Sequence, residues 1–194
     1  MKTKTLFIAL ALAAAATTAQ AQDAPSNTWI EGDYVDRGGD GDAAGHGVRG
    51  SFAFGDTGLY GLGGYTRLDV DQGPGKLDGW ELGLGYAHAL GDRTQLFGEA
   101  AYLEDELAGF ATTDGSGIVG VEGYRASVGL RSALGERFEG LVKASYVDGD
   151  DYLDGDFSGT VGGLLKLTRT WGVSGDVTFG DDAETYRLGL RATF

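Results

Sequence analysis

The residues best suited to chemistry by type and spacing are acidic residues crowded into three short stretches. The densest stretch holds Asp148, Asp150, Asp151, Asp154 and Asp156, and the other two hold Asp36, Asp40 and Asp42, and Asp181, Asp182 and Glu184. Hard cations such as Ca²⁺ bind several carboxylate oxygens, so these residues are candidates for weak divalent-cation binding. The densest stretch lacks the spacing of a calcium loop and its closing glutamate, and Asp-Gly pairs also make ordinary turns. We therefore predict no metal site.

Groups for acid–base or nucleophilic catalysis are sparse. The chain has two histidines, His46 and His88, and no cysteine. His46 has Asp36 and Asp42 nearby in the sequence but no identifiable serine nucleophile, and His88 falls on an apolar face. Glycine-rich runs such as 61–64 lack the Gly-Lys-Ser/Thr pattern of a phosphate loop. The sequence predicts that the protein is not an enzyme and holds no cofactor.

A second set of charged residues alternates with apolar residues along extended stretches. It contains acids and bases in near balance: Glu31, Asp33, Glu81, Glu99 and Asp176 against Arg49, Arg125, Arg131, Lys143, Lys166, Arg187 and Arg191. A buried charge is stable only when it is paired and hydrogen-bonded. The balance therefore predicts an ion-pair network inside the protein. Such charges can also tune the selectivity of a pore, which is a second interpretation.

Ten segments of alternating polarity, each roughly 9 to 12 residues long, position these charges. The predicted strands are 28–36, 46–54, 59–68, 79–90, 95–105, 122–134, 138–148, 156–167, 171–180 and 185–194. Four connections are tight turns: Gly55-Asp56-Thr57-Gly58, Gly91-Asp92-Arg93, Gly135-Glu136-Arg137 and Thr168-Arg169-Thr170. The other five, over 37–45, 69–78, 106–121, 149–155 and 181–184, are longer or more acidic. Short turns that alternate with longer loops are typical of outer-membrane barrels.

One face of each predicted strand is apolar and the other is small or charged. A soluble barrel or sandwich would bury the apolar face, whereas a membrane barrel turns it to lipid. Aromatic residues at the strand ends favour the membrane, because they resemble two interfacial belts. These are Trp80, Tyr124, Phe157 and Tyr186 at one end and Phe54, Trp171 and Phe194 at the other. In the third strand the phase is ambiguous, and alignment puts Tyr60 and Leu62 inside and Tyr65 outside.

These patterns predict an all-β, transmembrane, antiparallel up-and-down β-barrel of about ten strands, with eight as the alternative. Wide aqueous channels need about 16 strands, so we expect a narrow or closed lumen. At the N-terminus, Lys2 and Lys4 precede the apolar stretch Leu6–Ala16 and the small-residue site Ala19-Gln20-Ala21. This pattern predicts a cleaved signal peptide over 1–21 and a barrel domain over 22–194. The formal net charge of −14 argues against nucleic acid as a partner.

The last two strands resemble a known family. Trp171-Gly-Val-Ser-Gly-Asp-Val-Thr-Phe179 followed by Thr185-Tyr-Arg-Leu-Gly-Leu-Arg-Ala-Thr-Phe194 is similar to the closing hairpin of small outer-membrane proteins regulated by diffusible signal factor. Tyr34-Val35 after Glu31-Gly32, and the stretch 79–86, are similar too. The resemblance implies a porin-like barrel of the OmpA/OmpX type in the bacterial outer membrane and a link to cell-density signalling or vesicle release.

A terminal aromatic, Phe194, with Tyr186, Leu188 and Leu190 before it, also resembles the signal read by the barrel-assembly machinery. That resemblance implies the assembly machinery, periplasmic chaperones and outer-membrane lipid as partners. We predict a structural or interaction role at the cell surface for a barrel with a narrow or closed polar lumen and acidic outer loops. The alternatives are a narrow, porin-like channel for small solutes and a surface-loop binder of a ligand or divalent cations.

Overall fold

Most of the residues described by the computed structural model lie in one β-sheet. The structure describes residues 24–39, 42–71, 75–108, 118–149, 155–181 and 183–194. In this part of the chain the strands are β1 (Trp29–Gly39), β2 (Ala43–Ala53), β3 (Leu59–Val70), β4 (Lys76–Ala89), β5 (Thr94–Ala108), β6 (Ile118–Ala133), β7 (Phe138–Gly149), β8 (Asp156–Lys166), β9 (Trp171–Phe179) and β10 (Ala183–Thr193). No helix within the described ranges is long and apolar enough to cross a membrane.

The sheet closes on itself. Each strand pairs antiparallel with its neighbours in the chain, and β1 pairs with β10, so that Trp29 lies opposite Thr193 and Gly39 opposite Ala183. Closure satisfies the backbone groups that an open sheet would leave at its edges. The predicted all-β up-and-down barrel is confirmed with ten strands, and the eight-stranded alternative is wrong.

The two ends of the barrel differ in their connections. We call the end with the tight turns, where β1 begins and β10 ends, the turn end, and the opposite end the loop end. Three of the turns are closed alike, with Leu90 N donating to Thr94 O, Leu134 N to Phe138 O and Leu167 N to Trp171 O, each at 2.8 Å. The fourth contains a short 3₁₀ turn between Gly55 (φ 62°) and Gly58 (φ 79°), a left-handed conformation that glycine adopts without strain.

Strands β4, β5 and β6 are longer than the sequence predicted. Residues 106–121 were expected to form a loop because of their acidic start, yet β5 and β6 continue to pair as far as Ala108 and Ile118. Outside the apolar band of the barrel, acidic side chains are exposed to water, so a strand can contain them and keep its backbone hydrogen bonds. The taller wall therefore rises at the loop end, beyond the ring of aromatic side chains.

The outer surface of the barrel is apolar. Side chains such as Leu82, Leu84 and Val128 are more than half exposed. At the loop end the rings of Trp80 and Tyr102 lie 5.4 Å apart, and those of Tyr102 and Tyr124 lie 5.5 Å apart. Aromatic residues at this level are typical of a membrane interface. A soluble barrel would have buried this surface, so the arrangement favours a membrane environment.

Candidate functional site

The lumen holds the charged residues that alternate with the apolar surface. Their side chains lie on the inner wall in three groups. The first group spans β1, β2, β9 and β10, the second lies on the opposite wall, and the third lies at the turn end. The members are Glu31, Asp33, Arg49, Asp176, Arg187 and Arg191 in the first, Glu81, Glu99, Arg125 and Lys143 in the second, and Arg131 and Lys166 in the third.

The first group, which we call the seam network, joins the first and last strands. Arg49 contacts three carboxylates: Glu31 Oε1 at 2.6 Å, Asp33 Oδ2 at 3.1 Å and Asp176 Oδ2 at 2.6 Å. Glu31 also binds Arg191 Nε at 2.6 Å, and Asp33 lies 3.4 Å from Arg187 Nη1. The side chains of Glu31 and Asp33 are fully buried. Three acids and three bases thus neutralise one another across the closure between β1 and β10.

On the opposite wall the charged residues form separate pairs and no shared network. Arg125 Nη1 binds Glu81 Oε2 at 2.5 Å, and Tyr60 Oη donates to Glu99 Oε1 at 2.9 Å. Lys143 has no carboxylate within ion-pair distance among the described residues, although Glu81 and Glu99 attract it from farther away. This side of the lumen is therefore less completely neutralised than the seam.

Two rings fill the lumen near the turn end: that of Tyr60, which the strand alignment puts inside, and that of Phe97, an apolar exception among the small or charged residues expected there. Tyr60 and Phe97 are each 2% exposed, and Arg131 lies over the Phe97 ring with Cζ 5.3 Å from its centroid. Glycines make room for both rings. A Cβ at Gly85 would overlap the Tyr60 ring, and a Cβ at Gly129 would lie 2.5 Å from Phe97 Cζ. The high glycine content therefore serves inward aromatic residues as well as long basic side chains.

Replacing Gly85 with alanine is expected to lower the free energy of unfolding by about 1–3 kcal/mol, because the added methyl group forces Tyr60 out of its position. Gly32→Ala is the matched control, since no heavy atom lies within 4 Å of its new Cβ. Urea titration of both variants, refolded into lipid vesicles, measures the difference. Equal unfolding midpoints for the two variants would contradict this packing.

The chain before β1 crosses the turn end of the lumen. Pro25 is fully buried, and its carbonyl oxygen accepts a hydrogen bond from Gln95 Nε2 at 2.5 Å. Arg131 Nη1 donates to Asn27 Oδ1 at 3.2 Å, and Ser51 Oγ donates to Asn27 O at 2.6 Å. Gln95 and Arg131 stand on β5 and β6, half-way round the barrel from β1. We call residues 24–28 the N-terminal segment; it spans the mouth of the barrel.

Two cavities inside the described part of the barrel share part of their lining. The cavity toward the turn end measures about 80 Å³ and the one toward the loop end about 360 Å³. Both are lined by Arg49, Glu81, Arg125, Lys143 and Asp176. These five side chains, contributed by both walls, stand where the two cavities adjoin, and we call this level the constriction.

The sequence pattern missed several lumen residues. Glu139 is 5% exposed and binds Lys166 Nζ at 2.6 Å. It lies four residues before Lys143 on β7, so the same period of two could have found it. Arg37 and Asp105 also line the larger cavity; Arg37 falls in the predicted loop 37–45, whereas Asp105 is the last residue of the predicted strand 95–105 and has the inward phase of Glu99. No pattern in the sequence indicated that the N-terminal segment enters the lumen.

The remaining candidates do not assemble into a catalytic or metal site in the described part of the chain. His46 is exposed on the outer surface, where its ring packs 5.7 Å from that of Tyr34, and His88 is exposed on the same surface. Asp148 accepts hydrogen bonds from Tyr146 Oη and from Gly149 N, and Asp156 is exposed. Asp150, Asp151 and Asp154 lie outside the described residues. No group of three acidic or histidine side chains in the described ranges is close enough together to hold a metal ion.

The side chains proposed as an assembly signal share one surface of β10 and its end. Tyr186, Leu188, Leu190 and Phe194 all face outward, and the Phe194 side chain is the most exposed of the four. Phe194 N donates to Thr28 O at 2.9 Å, which fixes the last residue against the beginning of β1. The terminal ring is therefore presented at the turn end of the barrel.

Comparison with known proteins identifies the fold. No protein-family model and no curated protein sequence matches the chain. Among solved structures, the NanC porin is similar with a TM-score of 0.55 at 9% identity, covering 85% of this chain and 100% of the porin. The β domain of the Bordetella autotransporter BrkA is similar with a TM-score of 0.52 at 15% identity, covering 87% of this chain and 99% of that domain. The chain has the fold of outer-membrane β-barrels.

Proposed function

We propose that this protein is an integral outer-membrane barrel whose lumen is closed, and that it has a structural or interaction role at the cell surface. The observation that carries this proposal is the double obstruction of the lumen. Charged side chains from both walls line the constriction, and the backbone of the N-terminal segment crosses the turn end. A general porin needs a continuous aqueous path, and a ten-stranded barrel is close to the size that side chains alone can fill.

The orientation follows from the connections. Outer-membrane barrels have short periplasmic turns and longer external loops. The turn end would then face the periplasm, and the acidic loops would face the outside. The predicted signal peptide, which falls outside the described residues, would deliver the chain to this compartment. The outward row Tyr186, Leu188, Leu190 and Phe194 would serve the barrel-assembly machinery. Membership of the family regulated by diffusible signal factor stays a prediction from the last two strands.

Conductance in a planar lipid bilayer tests the closed lumen. The intact mature chain is expected to give no stable single-channel steps, because charged side chains line the constriction and the N-terminal segment crosses the turn end. A variant that lacks residues 24–28 loses the backbone that crosses the turn end but keeps the constriction, so it is also expected to stay closed. Stable steps from the intact chain would refute the closed lumen.

A narrow channel for small solutes is the second candidate. The cavity of about 360 Å³ on the loop side of the constriction favours it. In that case the intact chain would show small, ion-selective steps, and replacing Arg125 or Lys143 would change the ratio of anion to cation permeability. The same recordings therefore separate the two candidates.

A further inference from the structure

The larger cavity has three chemically different walls. Its floor is the constriction, and it extends toward the loop end as far as Arg37, Asp105 and Thr185. Its volume of about 360 Å³ lies at the lower end of the range found for small-molecule sites. Neither the closed lumen nor the seam network explains why one part of this polar barrel is built from large apolar side chains.

The floor of the cavity carries an excess of positive charge. The lining includes five bases, Arg37, Arg49, Arg125, Lys143 and Arg187, and three acids, Glu81, Asp105 and Asp176. Arg125 Nε is buried and has no hydrogen-bond partner, and the Arg187 contact with Asp33, at 3.4 Å, is the longest ion pair of the described residues. Donors remain available on Arg125, Lys143 and Arg187. When the seam-network residues Glu31, Asp33 and Arg191 are included, the excess falls to one base. Positive charge concentrates anions, so the part of the floor that attracts them is the one around Arg125 and Lys143, outside the seam network.

The wall toward β1, β3, β4 and β5 is apolar. Val35 is 1% and Leu68 is 4% exposed, and both pack with Ala43 into a small cluster that Leu77 extends. Leu103 continues this wall on β5. These apolar side chains take no part in the ion pairs of the lumen. They offer a surface for the apolar part of a ligand.

The wall opposite, on β7, β8 and β9, is lined by hydroxyl groups. Ser145, Ser158, Thr160 and Thr178 face the cavity, and the Oγ1 atoms of Thr160 and Thr178 lie 2.9 Å apart. Each hydroxyl can donate one hydrogen bond and accept others, so this wall keeps water or a polar group of the ligand in place. The cavity is thus cationic at its floor, apolar on one side and hydroxylated on the other.

We propose that this cavity binds a small amphipathic carboxylate from the loop end. The carboxylate group lies among Arg125, Lys143 and Arg187, and a short apolar chain lies along Val35, Leu68 and Leu77. An inorganic anion would contact the basic side chains of the floor but make no contact with the apolar wall. The site does not require conduction, so it stands whether the barrel is closed or is a narrow channel.

Calorimetric titration of the barrel in lipid nanodiscs tests the ligand class, with empty nanodiscs subtracted to remove partitioning into lipid. The probes are sodium acetate, butyrate, hexanoate and phosphate. Affinity is expected to rise from acetate to hexanoate by up to about fourfold for each methylene that reaches the apolar wall. No saturable binding of hexanoate, or phosphate binding as tight as that of hexanoate, would overturn the proposal.

Three variants locate the site. Lys143→Gln is expected to weaken hexanoate binding by about tenfold, because it removes a charged hydrogen-bond donor. Lys166→Gln makes the same change at the turn end, where Lys166 pairs with Glu139, and is expected to leave hexanoate binding unchanged. Leu68→Ser is expected to flatten the dependence on chain length and to leave acetate binding unchanged.

Heat-modifiable migration on a gel verifies that each variant is folded, and the chain-length series on the unmodified protein tests the proposal even if a variant fails to fold. Equal effects of Lys143→Gln and Lys166→Gln would overturn the placement of the carboxylate. Channel conductance, measured separately, has no bearing on this outcome.

Discussion

Replacing Arg49 with methionine is expected to lower the free energy of unfolding by about 3–5 kcal/mol, the largest effect of any single substitution considered for this barrel. Arg49 is the only base that contacts Glu31, Asp33 and Asp176 together within the described residues. Methionine keeps an unbranched apolar stem like that of arginine and removes the charged guanidinium group. The three carboxylates, which are almost entirely buried, then lose their common partner, and an uncompensated buried charge is costly.

Urea titration of the refolded protein in lipid vesicles, followed by tryptophan fluorescence, measures this loss. Arg67→Met is the matched control, because Arg67 also pairs with a carboxylate, that of Asp78, but at the exposed rim of the loop end. The side chain of Arg67 is 58% exposed against 23% for Arg49, so water replaces the lost contact. The control should unfold almost as the unmodified protein does. Similar losses for the two variants would show that the seam network is not a special source of stability.

Placing an arginine on the apolar outer surface, halfway between the two ends of the barrel, is expected to cause the second-largest loss of unfolding free energy. Val128→Arg is expected to cost about 2–4 kcal/mol, because Val128 lies on the outer surface of β6 between the two aromatic levels and is 54% exposed. Leu134→Arg is the control on the same wall. Leu134 lies just beyond the turn end of β6, where a long basic side chain reaches the interface and the cost falls to about 0–1 kcal/mol.

Unfolding from vesicles of defined acyl-chain length measures both variants. The two costs should differ, and the cost of Val128→Arg should fall in thinner bilayers, where mid-height lies closer to the headgroups. A Val128→Arg variant as stable as the Leu134→Arg variant would mean that this surface does not face acyl chains.

The strands and their faces could be predicted because a β-strand alternates its side chains with a period of two. Alternation alone assigns each residue to one face of its strand. Examples are Glu81 between Trp80 and Leu82, and Arg187 between Tyr186 and Leu188. The tight turns, with glycine at Gly55 and Gly58, marked where the alternation restarts. Pairing of neighbouring strands then brings the charged sides of β1, β2 and β10 together, but the alternation alone does not determine which acid pairs with which base.

Two kinds of feature could not be predicted from the sequence: contacts between strands that are far apart around the barrel, and inward side chains that are apolar although most inward side chains are small or charged. Val35, Leu68 and Phe97 are apolar but face inward, and only the three-dimensional arrangement gives them apolar or cationic neighbours. The N-terminal segment carries no periodic pattern, and its contacts with Gln95 and Arg131 join residues far apart in sequence. The ends of β5 and β6 over 106–108 and 118–121 fall in a predicted loop, because acidic residues are as compatible with a strand beyond the membrane as with a turn.

The seam network has a consequence for the order in which the barrel is made. Glu31 and Asp33 stand on the first strand, whereas Arg187 and Arg191 stand on the last, so they meet only when the two margins of the sheet join. Until then Glu31 and Asp33 share a single base, Arg49 on β2, and Arg187 and Arg191 lack their carboxylate partners on β1, so part of this charge still needs water. A sheet that has not yet closed therefore carries unpaired charge at both margins, which disfavours its insertion into hydrocarbon. The pairing of β1 with β10 brings these charges together and removes that penalty in one step.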